Sequence, residues 1–322
     1  MFKSIIISIV IEFYFSLISC AQVKFQFAYD FKNKEFKQKV ENNISALLTE
    51  LTKTSNNNDT IRLSGVNISK EASRRLKYLC KNYTIHCLFK FNVQGYLHDI
   101  NGYQVRQIPV IVTPVGNDNE KKNKSLVISF DKKGTITGVR IGIEDNLTID
   151  VFSTISSTSD LKRIRFMLKT IEDYCSYYME KNLDALKNDF SNDLFCVYND
   201  NGKPIEKSEL CRYVLLNNHK DSIAFKPKRY INIIRKMFCD NDIFNINISN
   251  IELTRHSANP NYYALWFNID IVSNKTTQQT VDGLVFILWN FEDEDHPVTP
   301  IKIWVQKGKI QENNDYFLDI YL

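Results

Sequence analysis

The sequence predicts an α+β protein with two domains behind an N-terminal export segment. In several segments apolar residues recur at three- and four-residue steps, the spacing of an amphipathic helix, whereas other segments alternate apolar and polar residues as strands do. Helical segments precede groups of strands and do not alternate with them, which favours antiparallel sheets. The chain has 322 residues, more than one hydrophobic core usually serves, so two domains are expected.

Residues 1–21 have the composition of an export signal. Lys3 precedes an apolar run from Ile5 to Ile18, and the small residues of Ser19-Cys20-Ala21 follow. The run is short for a membrane span. Glu12 lies inside it and disfavours insertion, because a carboxylate is costly in an apolar environment. We expect a mature protein outside the cytoplasm, in the periplasm, at the outer membrane or secreted.

Three alternatives for this segment stay open. Leu17-Ile18-Ser19-Cys20 matches a bacterial lipobox, in which Cys20 would carry lipid and attach the protein to a membrane surface. Ser19-Cys20-Ala21 also matches small-x-small cleavage before Gln22, which would release a soluble protein. The third alternative is an uncleaved helix packed on the fold. A lipid on Cys20 is the only membrane attachment that we expect.

The charge pattern argues against a nucleic-acid partner. The formal net charge is +4, and basic and acidic residues are interleaved along the chain. No phosphate loop, dinucleotide fingerprint, hydrolase elbow or metalloprotease motif occurs in the sequence, so we expect no cofactor. The acidic run from Glu292 to Asp295, with His296, lacks the spacing of a calcium loop. We therefore expect no metal.

Six cysteines follow Cys20. They are Cys80, Cys87, Cys175, Cys196, Cys211 and Cys239. Exported proteins form disulfides, and Cys80 with Cys87 and Cys196 with Cys211 are close enough in sequence to be considered. The alternative is that they are buried free thiols, since most lie in apolar runs.

Residues 22–155 are predicted to form an N-terminal α+β domain with an antiparallel sheet. A strand with alternating Val23, Phe25, Phe27 and Tyr29 is followed by a helix whose apolar face runs from Phe36 to Leu51. Ser69 is expected to cap a second, shorter helix. Four strands then follow, the last two joined by a turn at Asp131–Gly134: Thr84–Val93, Gln104–Pro114, Ser125–Asp131 and Thr135–Ile143.

Residues 156–322 are predicted to form the second domain. The polar cluster Ser156–Ser159 precedes a long helix, and we expect Ser159 to cap it. Asn182 should break this helix before a short one that runs through Leu186 and Phe190. The remaining predicted elements are a helix at Pro227–Phe238 and strands at Asn245–His256, Tyr262–Val272, Gln279–Phe291 and Pro300–Gln306.

This order, three helices before a meander of long strands, resembles the nuclear transport factor 2-like (SnoaL-like) fold, a cone in which a curved antiparallel sheet wraps a long helix. The stretches Ala185–Asp193, Gly283–Phe291 and Ile301–Trp304 are similar to parts of that domain in exported Bacteroidetes proteins that carry it behind a separate N-terminal domain. Asn43–Glu50, Gly102–Val110 and Ile128–Ile136 resemble the N-terminal part of the same proteins. The resemblance implies a cone, with a homodimer through the C-terminal sheet as one arrangement, and implies no activity for this group.

Some enzymes of the wider superfamily, among them ketosteroid isomerases and scytalone dehydratases, place an Asp or His base inside the cone and a Tyr or Asp donor across from it. The candidates here are His256 or Asp270 as the base and Tyr178 as the donor. Structural alternatives stand beside each one. His256 would be a turn residue beside Asn259-Pro260, Asp270 would be solvated, and Tyr178 would be packed in the core.

Three tryptophans on successive strands are candidates for binding a ligand. Trp266, Trp289 and Trp304 would form an aromatic wall, with the amide of Asn268 beside it, although core packing explains the same residues. We expect a non-catalytic, exported or envelope-associated protein that binds a small molecule or an envelope protein. The alternatives are a small-molecule lyase or isomerase that uses the cone cavity, and a lipoprotein subunit of an envelope complex.

Overall fold

The computed structural model describes residues 22–57, 60–99, 102–116, 118–143, 158–189, 195–197, 205–206, 224–225, 227–241, 244–256, 259–273, 280–294, 297–306 and 310–311. The predicted export segment, including Cys20, lies outside these ranges. The chain divides into two compact units between Gly142 and Ile143, here called the N-terminal and C-terminal units. Both combine helices with antiparallel sheet, so the predicted α+β class is confirmed.

The described part of the N-terminal unit contains two α-helices, a 3₁₀ helix at Asp118–Glu120 and seven strands. The helices are α1 (Lys34–Asn57) and α2 (Lys70–Asn82); the strands are β1 (Lys24–Phe27), β2 (Tyr83–Cys87), β3 (Phe91–Gln94), β4 (Tyr96–Asp99), β5 (Gly102–Pro114), β6 (Lys122–Asp131) and β7 (Ile136–Ile141). Five strands form an antiparallel sheet in the order β2–β5–β6–β7, with β4 also paired to β5. Strands β1 and β3 form a separate parallel pair.

The predicted strand Thr84–Val93 is broken in two, which corrects the sequence-based expectation. Strand β2 pairs with β5 as far as Cys87, and Leu88 N then donates to Pro109 O at 3.1 Å. Because proline has no N–H to return to this neighbour, the ladder ends there. The chain leaves the large sheet and pairs with β1 as β3.

Helix α1 covers the other edge of β1 through side chains that accept hydrogen bonds from the strand backbone. Val23 N donates to Thr49 Oγ1 at 2.9 Å, Phe25 N to Ser45 Oγ at 2.9 Å and Phe27 N to Glu41 Oε1 at 2.8 Å. Four residues rise about 6 Å along a helix and two residues rise about 6.6 Å along a strand. Successive turns of α1 therefore meet alternate N–H groups of β1. We call these three bonds the edge ladder.

The predicted cap and turn of the N-terminal unit are confirmed. Ser69 Oγ accepts a hydrogen bond from Ala72 N at 3.2 Å at the start of α2. In the turn between β6 and β7, Asp131 Oδ1 accepts bonds from Lys133 N and Thr135 N, each at 2.8 Å. Gly134 has a φ of 81°, a conformation that residues with a Cβ atom rarely adopt.

The described part of the C-terminal unit contains three helices and eight strands. They are α3 (Thr158–Met179), α4 (Leu183–Asp189), α5 (Pro227–Asp240), β8 (Phe195–Val197), β9 (Ile205–Glu206), β10 (Ala224–Phe225), β11 (Phe244–Arg255), β12 (Tyr262–Ser273), β13 (Thr280–Asn290), β14 (Val298–Gln306) and β15 (Ile310–Gln311). Six strands form a curled half-barrel sheet in the order β10–β8–β14–β13–β12–β11. No helix in the described ranges has the length and apolar character to cross a bilayer.

The ends of α3 and α4 differ in part from the prediction. Helix α3 begins at Thr158, so Ser159 lies in its first turn and is not its cap. The predicted break at Asn182 is present: Asn182 Oδ1 accepts a hydrogen bond from Ala185 N at 3.1 Å and caps α4. Phe190, expected at the end of this helix, lies outside the described residues.

Each unit has one long strand with a bulge that carries a residue in the left-handed conformation. In β5 this residue is Gln107, with a φ of 61°, and in β11 it is Asn250, with a φ of 51°. A bulge adds one residue to one strand and so shifts the alternation of the side chains after it. The shift places Ile108 in the core of the N-terminal unit and Ile251 against the core of the C-terminal unit.

Candidate functional site

The described part of the concave face of the C-terminal sheet carries buried apolar side chains that cluster with those of α3. Ile164, Leu168 and Ile171 of α3 belong to one cluster with Leu265, Phe267 and Ile269 of β12, and all six are at most 1% exposed. The strand alternation predicted for Tyr262–Val272 is therefore confirmed, with the odd-numbered residues facing the core. These side chains form one hydrophobic core cluster between α3 and β12.

Tyr178, the predicted donor, lies inside this core. Its side chain is 1% exposed, its hydroxyl is 3.1 Å from that of Tyr174, and its ring packs edge-on against Phe238 with centroids 5.8 Å apart. One turn separates the two tyrosines on α3, so the hydroxyls satisfy each other. This is the core-packing alternative that the helical spacing allowed.

His256, the first predicted base, closes the turn between β11 and β12. Its Nδ1 accepts a hydrogen bond from Asn259 N at 2.6 Å, and its backbone N–H donates to Tyr262 O at 3.0 Å. The side chain is 4% exposed. Because Nδ1 serves as an acceptor, the neutral ring carries its proton on Nε2.

Asp270, the second predicted base, lies on the sheet face opposite α3, together with Asn268 and Trp266. The alternation of β12 fixes this placement, because the odd-numbered residues face the core. Asp270 Oδ1 is buried and has no hydrogen-bond partner among the described residues. Its neighbours across the sheet are Asn247 and Asp282.

The predicted aromatic wall is divided between the two faces of the sheet. Trp266 packs on Phe286 with ring centroids 4.4 Å apart, on the face away from α3. Trp289 is 0% exposed within the concave core. Trp304 pairs with Val285 in the sheet, and its side chain lies outside the described part of the structure.

A polar cluster that the sequence did not reveal lies where α3 begins. The hydroxyl of Tyr263 donates to Asp160 Oδ1, and Arg255 Nη1 lies 3.6 Å from Asp160 Oδ2. Asp160 is 4% exposed and Tyr263 2%. Burial, and next the hydrogen bond to Asp160, raise the pKa of Tyr263 above its ordinary value. We call Asp160, Tyr263, Arg255 and Arg163 the α3-start cluster.

Arg163, the fourth member of this cluster, connects it to two loops. Its guanidinium donates to Pro260 O at 2.8 Å, to Asn261 Oδ1 at 3.2 Å and to Glu294 Oε1 at 2.9 Å, and its central carbon lies 5.5 Å from the centroid of the Tyr263 ring. Burial alone would lower the pKa of Arg163, but the bonds to Tyr263 and Glu294 outweigh it and raise that pKa. The cluster holds a phenol and a carboxylate, the groups needed for proton transfer, and also ties the helix to the sheet.

The N-terminal unit contains an open polar groove of ≈ 810 Å³. Its walls are β1, one face of α1 and residues 62–66. Side-chain amides and hydroxyls line it together with charges of both signs: Gln22, Gln26, Gln38, Asn42, Ser45, Ser64, Lys24, Glu50, Lys53 and Arg62. The sequence does not reveal this groove, because its lining residues have the pattern of ordinary exposed positions of a helix and a strand.

The described cysteines and acidic groups offer no metal centre. Cys80, Cys87, Cys175 and Cys239 are not joined in disulfides. Within the described ranges, no group of three or more His, Cys, Asp or Glu side chains is arranged to hold a metal ion. Glu294, from the acidic run, instead binds Arg163.

Comparisons with known proteins give similarity at the level of structure. No protein-family model matches the sequence, and no curated protein matches it at a significant level. A candidate scytalone dehydratase from Novosphingobium aromaticivorans is similar at 10% identity and a TM-score of 0.34, over 50% of this chain and 95% of its own.

Two further solved structures are similar over comparable lengths. The β subunit of benzoate 1,2-dioxygenase from Burkholderia mallei has 16% identity and a TM-score of 0.30, over 52% of this chain and 98% of its own. A nuclear transport factor 2-like protein of unknown function from Pseudomonas putida has 8% identity and a TM-score of 0.31, over 50% and 98%. At these values no activity transfers to this chain; the structures similar to it include nuclear transport factor 2-like proteins.

Proposed function

We propose that this protein is a non-catalytic, exported or envelope-associated binding protein whose ligand site is the polar groove of the N-terminal unit. One contrast carries the proposal. The described part of the concave face of the C-terminal sheet, where superfamily enzymes hold their substrates, carries a cluster of buried apolar side chains, whereas the groove is open and lined with hydrogen-bonding groups. Binding sites are concave surfaces with a few convergent polar groups.

The chemistry of the groove indicates the class of ligand. Gln38 Nε2 donates to Asn42 Oδ1 at 2.9 Å, and Lys53 pairs with Glu50 at 3.1 Å, so its walls present amides and a balanced ion pair. Such a surface suits a polar molecule with several hydrogen-bonding groups, such as a sugar, an amino acid or a short peptide. A purely apolar ligand would leave these groups desolvated without partners.

A titration with a panel of monosaccharides, amino acids and dipeptides tests this proposal. Amide signals of α1 and β1 in ¹⁵N–¹H correlation spectra should shift with a ligand that binds. Ala46→Trp fills the groove and should abolish the shifts, whereas Ala28→Trp, on an exposed residue outside the lining, should leave them unchanged. Shifts that persist in Ala46→Trp would contradict the proposal.

The α3-start cluster favours one competing function, a lyase or isomerase of small carbonyl compounds. Asp160 would act as the base and Tyr263 as the donor, in place of His256 or Asp270 with Tyr178. The test is turnover of a panel of β-hydroxy ketones and unsaturated ketones, followed by enone absorbance. An enzyme would lose turnover in both Asp160→Asn and Tyr263→Phe; absence of turnover in the unmodified protein removes this alternative.

The envelope location has its own test. Cell fractionation followed by mass spectrometry of the mature N-terminus distinguishes a lipid-modified Cys20 from cleavage before Gln22 and from an intact leader. Homodimerisation through the C-terminal sheet stays a prediction, and sedimentation velocity at several concentrations measures it.

A further inference from the structure

The largest exposed apolar side chains of the N-terminal unit are concentrated along β3. Within the six residues Leu88–Val93, four expose large apolar side chains: Leu88 43%, Phe89 53%, Phe91 51% and Val93 47%. Tyr29, 70% exposed, lies at the other end of the strand, 3.5 Å from the Cβ position of Gly95. We call these five residues the β3 patch. Exposed apolar surface of this extent marks an interaction site.

The outward direction of the patch is fixed by the pairing with β1. Lys24 pairs with Phe91 and Gln26 pairs with Val93, and all four side chains are exposed. Asn92, between them, is 3% exposed, and its Nδ2 donates to Phe89 O at 3.0 Å. A slip of one residue would bury the aromatic ring and expose the asparagine, so the patch is a built feature of the sheet.

The two segments that carry the patch contain only positive charges. Residues 22–29 and 88–95 contain Lys24 and Lys90, both exposed, and no acidic residue. The acid that follows them, Asp30, is paired with Lys37 at 2.6 Å. Aromatic and aliphatic side chains with lysines at the rim complement the interface of an anionic bilayer, where the rings lie at headgroup level and the ammonium groups meet lipid phosphates.

Strand β1 connects the patch to the predicted lipidation site. Lys24, which pairs with Phe91, follows Cys20 by four positions, a span of at most about 14 Å. A lipid on Cys20 would hold the start of β1, and with it the paired strand β3, near the membrane surface. We propose that the β3 patch docks this protein on an anionic membrane surface. The proposal rests on the envelope location proposed above, although vesicle binding tests it separately.

Two matched tryptophan variants test where the protein meets the bilayer. Val93 and Val115 are each 47% exposed, and Val115 lies at the opposite end of β2, where its N–H donates to Asn82 O at 2.9 Å. Val93→Trp and Val115→Trp would be mixed with vesicles of brominated phosphatidylglycerol and phosphatidylcholine in equal parts. The fluorescence of the introduced tryptophan should be quenched in Val93→Trp and not in Val115→Trp. Equal quenching in the two variants, or no quenching in either, overturns the proposal.

Sedimentation with the same vesicles tests the chemistry of docking. Lys24→Glu and Lys90→Glu should each lower the partition constant about fivefold or more, and added salt should lower that of the unmodified chain. Phe89→Ser with Phe91→Ser should weaken binding further, because it removes both rings. An unchanged partition constant in this double variant overturns the proposal. So does protection of the β3 amides from hydrogen exchange that occurs only when envelope proteins, and not vesicles, are added. A cytoplasmic location with intact vesicle binding would instead refute the proposed location alone.

Discussion

Helices α1 and α3 have 24 and 22 residues, and each packs against the sheet of its own unit, but their buried polar side chains bind different partners. On α1, Glu41, Ser45 and Thr49 accept hydrogen bonds from a strand backbone. On α3, Asp160 is bound by the side chains of Tyr263 and Arg255. The first arrangement protects a strand edge and forms part of the wall of an open groove, whereas the second ties the start of α3 to the sheet.

This difference indicates where function and stability reside. Glu41, Ser45 and Thr49 of α1 bind the backbone of β1 and also line the polar groove, so the edge ladder forms part of the groove wall. In the C-terminal unit, α3 is surrounded by core side chains and by the charged α3-start cluster. We therefore expect substitutions in the C-terminal unit to affect stability most, and those on the N-terminal surfaces to affect binding.

The largest effect is expected in the C-terminal core. Phe267→Ala should lower the free energy of unfolding by about 3 to 5 kcal/mol, because it removes a ring from a fully buried site. Urea unfolding measures the loss, with Phe89→Ala on the exposed β3 patch as the control. A loss below about 1 kcal/mol would mean that the core is loosely packed and that a ligand space exists there.

The two units should also differ in thiol chemistry. Burial raises the pKa of Cys80 to about 12, and burial opposed by a hydrogen bond with Thr52 raises that of Cys87 to about 11. Iodoacetamide at about pH 8 should therefore modify the exposed Cys239 of the C-terminal unit before either of them. Modification of Cys87 in the folded protein at a rate similar to that of Cys239 would contradict this difference.

The same pKa shifts predict how stability depends on pH. Below the ordinary thiol pKa of about 9, Cys87 is protonated in both the folded and the unfolded state, and its contribution to the free energy of unfolding is fully present. Above it, the unfolded chain loses the proton first, so the contribution is lost as pH rises toward about 11, by about 3 kcal/mol in total. Cys87→Ala should flatten this part of the curve of unfolding free energy against pH.

The α3-start cluster should give an intermediate effect. Asp160→Asn and Tyr263→Phe should each cost about 1 to 3 kcal/mol of unfolding free energy. The first replaces a charged acceptor, paired with Arg255, by a neutral amide, and the second removes the donor of the bond to Asp160. In a double-mutant cycle the two changes should couple by at least about 1 kcal/mol. Additive losses would show that the two side chains stabilise the unit independently.

A smaller loss is expected from the edge ladder. Ser45→Ala removes the acceptor of Phe25 N and should cost about 1 kcal/mol, whereas Ser64→Ala on an exposed loop should change stability little. Hydrogen exchange offers a local readout, since the amide of Phe25 should exchange faster in Ser45→Ala. Unchanged exchange at that amide would mean that the bond does not protect the edge.

The smallest effects concern the two bulges. Gln107→Gly should raise the unfolding free energy by up to about 1 kcal/mol, because glycine adopts the left-handed conformation without a steric cost. Asn250→Gly should stay within about 0.5 kcal/mol of the unmodified protein, since asparagine tolerates that conformation better. Thermal unfolding of both variants measures this difference between the units.

The sequence predicted features that depend on neighbouring residues and missed those that depend on distant ones. The helices, the Asp131–Gly134 turn and the long C-terminal strands follow from local periodicity and turn chemistry. The break after Cys87 depends on Pro109 across the sheet, and the Asp160–Tyr263 bond joins residues 103 positions apart. No spacing rule connects such pairs.

The edge ladder has a consequence for the order of folding. Its three bonds join residues 14, 20 and 26 positions apart, whereas the pairing of β1 with β3 joins Lys24 to Phe91, 67 positions away. Closing the shorter loops costs about 1 kcal/mol less chain entropy. We expect β1 to dock on α1 soon after both have emerged from the ribosome or the translocation channel, and to await β3 with one edge already shielded from other unfolded chains.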